Sequence, residues 1–263
     1  MSKISVKSIL KRKGKSKITM LTCYDYSFAG ILDESGVDII LVGDSLANVV
    51  LGLKETRKVS IKEMLNHTLA VARGAKRALV VADMPYLSYQ KDPQKSLYYA
   101  RKFIEAGASA VKIEWFAKCP QVVKKLIQAK IPVMGHIGLT PQTAHLLGGY
   151  KVQGKDHESA ALLAEQAKKL QKLGVFSLVL ECIPTQVSRR ITKSLKLPTL
   201  GIGAGKYCDG QVLVVYDLLG LYTQKRPKFV RVYRDLSRDI KAAISRFKQD
   251  VKKGRFPSSK ESF

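Results

Sequence analysis

Apolar positions in this chain alternate between two patterns. Short runs rich in β-branched residues are separated by longer stretches whose apolar positions follow a helical period. The short runs are ITMLTCY (18–24), VDIILVG (37–43), ALVVAD (78–83), SAVKIE (109–114), IPVMGH (131–136), VFSLVLE (175–181), LPTLGIG (197–203) and QVLVVYD (211–217). Between them the pattern predicts helices over 27–36, 60–74, 92–107 and 157–174, each stopping at or just before a glycine. Ser60 and Glu63 have the spacing of a capping box, and Asp92 followed by Pro93 reads as a helix start. After Glu181, Cys182 and Pro184 neither continue the strand nor begin a helix at once. Strands alternating with helices give βα units, an α/β class and a parallel sheet. Eight such strands match a closed (β/α)8 barrel, for which about 250 residues is typical; a doubly wound open sheet is the alternative. The expected organisation is one barrel domain over residues 1–263 with a C-terminal helical extension.

The ends of these runs favour the barrel. The second leads into Asp44 and Ser45, and the third ends at Asp83. The fourth ends with Lys112 and Glu114, the fifth at His136 and the sixth at Glu181. In a parallel barrel all C-terminal strand ends open on one face, so five successive strands would aim ionisable groups at one mouth. Taken singly, each has a plain structural reading. Asp44 or Asp83 fits a turn or a helix cap, and Lys112 and Glu114 share a strand face and could pair as ions. His136 alone could be a hydrogen-bonded structural histidine. Together they are harder to dismiss, because gathering buried charges is costly without a ligand or metal.

Asp44, Asp83 and Glu114 offer only oxygen, which suits Mg2+ with water and substrate in the remaining positions. A divalent ion there could chelate a 2-oxo acid and stabilise the enolate left when a neighbouring C–H loses its proton. Glu181 is the carboxylate left over for that base, and its apolar approach VFSLVL would raise its pKa. Two other motifs fail. GIGAGK (201–206) has the wrong spacing for a phosphate loop and is followed by Tyr207 in place of the required Ser or Thr, so it reads as a tight turn with close backbone approach. His136 and His145 lack the spacing of a protease-type zinc helix.

Lys and Arg total 46 against 21 Asp and Glu, a net charge of +25. The densest basic segments are KRKGKSK (11–17) and the tail from Lys225 to Lys253. Such charge raises nucleic acid, an anionic membrane surface or an anionic substrate as partners, but no aromatic residues interleave with base-reading ones, and a basic solvated surface is favoured. No apolar run approaches the roughly 18 residues of a membrane span, and the N-terminus lacks a signal-peptide pattern. Four cysteines without a C-x-x-C pair read as reduced thiols in a cytoplasmic protein.

Eight segments in register carry a resemblance. They are TCYDYSFAGILDESGVDIILVGDSLANVVLG, HTLAVARGA, ADMPYLSY, GASAVKIE, VMGHIGLTPQ, GGYKVQGK, LVLECIP and GIGAGKYCDGQVLVVYDLLG. From about Ile4 to the closing FPSSKESF the chain resembles the ketopantoate hydroxymethyltransferase family. The resemblance implies a TIM barrel of the phosphoenolpyruvate/pyruvate type. It implies hydroxymethyl transfer from 5,10-methylenetetrahydrofolate to 3-methyl-2-oxobutanoate, giving 2-dehydropantoate on the route to pantothenate and coenzyme A. It places Mg2+ on Asp44, Asp83 and Glu114, substrate contacts on Asp44, Ser45, Asp83 and Lys112, and the general base on Glu181. His136 is expected near the substrate, and the chain is expected to form a large homo-oligomer, a decamer in many members. Departures are mild: Val59-Ser60 where Val-Thr is common, and Lys260-Glu261 where many members carry Glu-His. Two rival readings are a folate-independent barrel lyase or mutase acting on C–C bonds of oxo acids, and a non-catalytic basic binder of nucleic acid or membrane.

Overall fold

A computed structural model describes residues 2–90, 92–222 and 227–263. By its internal contacts the chain divides into two units, Met1–Val214 and Val215–Phe263.

The first unit holds eight strands: β1 (Ile18–Thr22), β2 (Ile39–Val42), β3 (Leu79–Asp83), β4 (Ala110–Glu114), β5 (Val133–Gly138), β6 (Ser177–Glu181), β7 (Thr199–Ile202) and β8 (Gly210–Leu213). All pair in parallel with their sequence neighbours, and β8 returns to β1, so the sheet is a closed barrel. β2, β3 and β4 are buried along their whole length, as expected where helices cover the outer face. The inner face follows the period of two. Ile39 and Leu41, Leu79 and Val81, Ala110, Met134, Val179 and Leu200 fill the lower barrel together with Ile18, Met20 and Val212. The same inward series on β3, β4, β5 and β6 then continues upward into Asp83, Lys112 with Glu114, His136 and Glu181. The polar mouth is thus the top layer of the same stack whose lower layers are apolar.

The four expected helices are Tyr26–Glu34, Ile61–Gly74, Pro93–Glu105 and His157–Leu173. Ser60 and Glu63 close the capping box, Asp92 caps with Pro93 at the first position, and Gly174 ends its helix in the left-handed region. Three readings need correction. A helix begins at Thr185, directly after Pro184, because the proline supplies a preset φ and needs no N–H there. A helix over Cys119–Gln128, with Pro120 in its first turn, was not expected, although Cys119, Val122, Val123 and Leu126 bury one face at helical spacing. The last strand stops at Leu213, and Val215–Leu218 is a short helix instead. No helix lies between β7 and β8: residues 203–209 cross as a turn-rich segment, as read for GIGAGK.

The basic segment 11–17 is used structurally. Arg12 pairs with Asp38 at 2.7 Å, Lys13 with Asp209 at 2.8 Å, and Lys17 donates to the carbonyl of Cys208. These contacts close the N-terminal end of the barrel, where Ile4 and Ile9 complete the core. The second basic segment begins at Lys225 and Arg226, which lie outside the described residues. In the second unit the helix Leu236–Lys252, capped by Asp235, buries no residue and presents Ile240, Ile244, Phe247 and Val251 along one exposed stripe. Among the described residues no helix is long and apolar enough to cross a membrane.

Candidate active site

The site forms at the C-terminal ends of β2 to β6, and parallel pairing sets its spacing. Asp83 stands beside Lys112 in register, and Glu114 beside His136. Lys112 Nζ lies 2.8 Å from Asp83 Oδ1 and 3.2 Å from His136 Nδ1. Lys112 and Glu114 therefore do not simply neutralise each other. The lysine faces the neighbouring strands on either side. Asp44 is held at the mouth by its own backbone N–H, which donates to Asp83 Oδ2 at 3.0 Å. Ser45 shares a hydrogen bond with the Tyr24 hydroxyl at 2.8 Å. Gly43 precedes them because a Cβ there would press on Ser45 Oγ and Thr22.

Glu181 ends β6 with 15% of its side chain exposed, and its Oε2 lies 3.1 Å from His136 Nε2. That distance is short, but the ring N–H is not aligned for a hydrogen bond. Gly138 makes the approach possible. It has φ +97°, and a Cβ there would overlap the carbonyl oxygen of Glu181. Cys182, next to Glu181, takes the left-handed region at φ 48°, and its N–H and carbonyl are tied to Ile202 and Gln153.

Burial dominates the electrostatics. It pushes Glu181 up to about 7, with Lys112 pulling the other way. It lifts Asp83 to about 6, again restrained by Lys112, and raises Glu114 well above the carboxylate range with help from the charge on Asp44. Burial also disfavours charge on Lys112, but Asp83, Asp44 and Glu114 outweigh it and keep the ammonium protonated. His136 is driven well below its ordinary value by burial and by Lys112, so it stays neutral.

Asp44, Asp83, Glu114 and Glu181 thus face one lysine and a neutral ring. Glu114 Oε1 is buried without a hydrogen-bond partner among the described residues. An all-oxygen donor set with excess negative charge and an unsatisfied carboxylate oxygen fits a hard divalent cation. No three acidic, histidine or cysteine side chains among the described residues converge as a ready cage. Mg2+ asks for less, being held commonly by one or two carboxylates with water and substrate completing the shell.

All six ionisable residues expected from the sequence meet at this mouth, with Ser45 beside them. Gln142 was missed. It lies in the segment VMGHIGLTPQ, on a short 3-10 turn from Pro141 to Leu147, where neither charge nor periodicity marks it. His145 stands apart from His136, against Arg57 at 3.4 Å.

A closed parallel barrel with acids, a lysine and a neutral histidine at its strand ends defines a (β/α)8-barrel enzyme. Solved structures share the fold at low identity. Phosphoenolpyruvate phosphomutase from Streptomyces platensis subsp. rosaceus aligns with TM-score 0.64 and 13% identity, over 95% of this chain and 88% of that one. 2,3-Dimethylmalate lyase, a member of the PEP mutase/isocitrate lyase superfamily, aligns with TM-score 0.61 and 15% identity, over 98% and 91%. The family model for ketopantoate hydroxymethyltransferase matches residues 3–259. The 3-methyl-2-oxobutanoate hydroxymethyltransferase of Syntrophomonas wolfei is 50% identical over 100% of this chain and 96% of its own length. That of Clostridium botulinum (strain Langeland) is 51% identical over 97% and 92%. The chain belongs to the ketopantoate hydroxymethyltransferase family and is an enzyme of the hydroxymethyltransferase class.

Proposed function

We propose that this mouth transfers a hydroxymethyl group from 5,10-methylenetetrahydrofolate to 3-methyl-2-oxobutanoate, giving 2-dehydropantoate. The observation that supports it most is Glu181, a largely buried carboxylate raised to about 7, placed across the mouth from the oxygen cluster. A base poised near neutrality is what removal of a weakly acidic C–H requires.

Asp44, Asp83 and Glu114 would hold Mg2+, directly or through water, and Ser45, Lys112 and His136 complete the pocket for the oxo acid. When bound, the cation supplies Lewis-acid polarisation of the keto oxygen. Glu181 takes the proton from C3, and the C–H electrons move toward the C2 oxygen. Lys112, held protonated among the acids, stabilises the negative charge that develops there. His136 stays neutral and packs against the base, holding its carboxylate toward C3. The C3 carbanion equivalent attacks the methylene carbon of the folate and forms the new C–C bond, while the bond from that carbon to one of its two folate nitrogens breaks and that nitrogen takes a proton. Water then displaces the second folate nitrogen and gives it a proton, leaving the hydroxymethyl group and tetrahydrofolate.

A solved phosphonopyruvate hydrolase of the same fold, with TM-score 0.63 and 13% identity, carries oxalate and Mg2+. It supports the fit of such a cation to this kind of mouth. The reading includes a cytoplasmic location and a homo-oligomer. The exposed stripe Ile240, Ile244, Phe247 and Val251 supports assembly, because such a surface is normally covered. The test is product formation from the two substrates with Mg2+. Turnover of the oxo acid without a folate donor would favour a lyase or mutase instead.

A further inference from the structure

Gln142 is 1% exposed and commits its backbone N–H and both ends of its side-chain amide within the site. Its backbone N–H donates to Glu114 Oε2 at 3.1 Å. Its side-chain amide nitrogen donates to Asp44 Oδ2 at 2.9 Å and to the carbonyl of Met84 at 3.1 Å. Its amide oxygen accepts from the Tyr89 hydroxyl at 2.6 Å. The orientation of the amide follows from these partners. A carbonyl and a carboxylate can only accept, so the NH2 end must face Met84 and Asp44, and the oxygen must face the one hydroxyl donor.

Asp44 follows β2 and Glu114 ends β4, with β3 between them. Gln142 reaches both from the segment after β5. It gives each carboxylate one neutral donor and leaves the other oxygen of each available. Met84 and Tyr89, fixed after β3, keep the amide from turning.

Building on the cation site proposed above, we infer that Gln142 is the positioning residue of the oxygen cluster, aiming Asp44 and Glu114 at a shared divalent cation and fixed in that task by Tyr89. Residues that orient metal-binding carboxylates typically change affinity by about 10 to 100-fold when replaced.

The test is Mn2+ binding to the full chain without substrate, followed by electron paramagnetic resonance. Gln142→Met keeps the length and the backbone N–H but loses the amide. It should weaken Mn2+ binding by about 10-fold or more. Thr143→Val breaks the Thr140–Thr143 hydroxyl contact (2.7 Å) in the same turn without touching either carboxylate, and it should stay within about 3-fold of the parent. Equal affinity in Gln142→Met and the parent would overturn the inference, as would an equal loss in Thr143→Val, since that would be loosening of the turn. If Gln142→Met does not fold, Tyr89→Phe is read instead. It should show a smaller loss of the same sign, and an unchanged affinity overturns the inference. A parent chain that binds no Mn2+ defeats the cation reading itself and this inference with it, an outcome distinct from equal affinities.

Discussion

His136 stands between Lys112 and Glu181, with Nδ1 3.2 Å from the ammonium and Nε2 3.1 Å from the carboxylate. A lysine ammonium can only donate, so Nδ1 must accept and the ring proton sits on Nε2, facing Glu181. The neutral ring therefore separates the residue that would hold developing negative charge from the residue that would take the proton, lying close to the carboxylate without an aligned hydrogen bond to it. His136→Ala should shift the apparent base pKa and lower kcat more than it raises KM. A pH profile of both constants checks this.

Glu181 carries the proton transfer in this account. Glu181→Gln should lower kcat by about 100 to 10,000-fold while the Kd for the oxo acid changes only a few-fold. Because the carboxylate sits near 7, kcat/KM of the parent should rise with pH and level off above about 7. Equal loss of binding and turnover in the variant would count against the assignment.

The same shift has a stability consequence. Burial raises Glu181 in the folded chain from its usual 4.5 to about 7, so between those values the folded state holds more protons than the unfolded. Stability should fall as pH rises across that window. Glu181→Gln should therefore unfold at higher denaturant than the parent at pH 8, by at most about 3 kcal/mol, with the gap closing below pH 4.5. Paired denaturation curves at the two pH values check this.

Lys112 and Asp83 form a buried ion pair at 2.8 Å. Removing the lysine leaves Asp83 and its acidic neighbours uncompensated. Lys112→Met should cost about 3 to 5 kcal/mol, and adding Asp83→Asn should recover part of that loss. A double-mutant cycle from denaturant midpoints measures it.

Gly138 is a third structural test. With φ +97° and no room for a Cβ against Glu181, Gly138→Ala should destabilise the chain and push the base out of place. Both Tm and kcat should fall, and a loss of Tm with unchanged kcat would show that the turn does not position Glu181.

The strand ends were legible in the sequence because apolar alternation breaks into charge at the same height on successive strands. Asp83, Lys112, Glu114, His136 and Glu181 announce themselves as ionisable groups closing apolar runs. Gln142 does not, because a neutral side chain on a 3-10 turn has neither charge nor period to mark it, and its meaning comes from tertiary contacts. The helices opened by prolines at Cys119 and Thr185 were hidden for a related reason: a proline reads locally as a break, though at a helix start it is a favourable residue. The basic segment 11–17 looked like solvated surface, and only the fold shows Arg12 and Lys13 pairing with Asp38 and Asp209.

The most direct measurement follows the C3 proton of 3-methyl-2-oxobutanoate by NMR in deuterated buffer with Mg2+ and no folate donor, using the parent and Glu181→Gln. The account predicts exchange by the parent, its loss in the variant, and product only when 5,10-methylenetetrahydrofolate is added. Exchange that survives in Glu181→Gln would contradict the assignment of the base, and no exchange by the folded, Mg2+-supplied parent would contradict proton abstraction at this mouth.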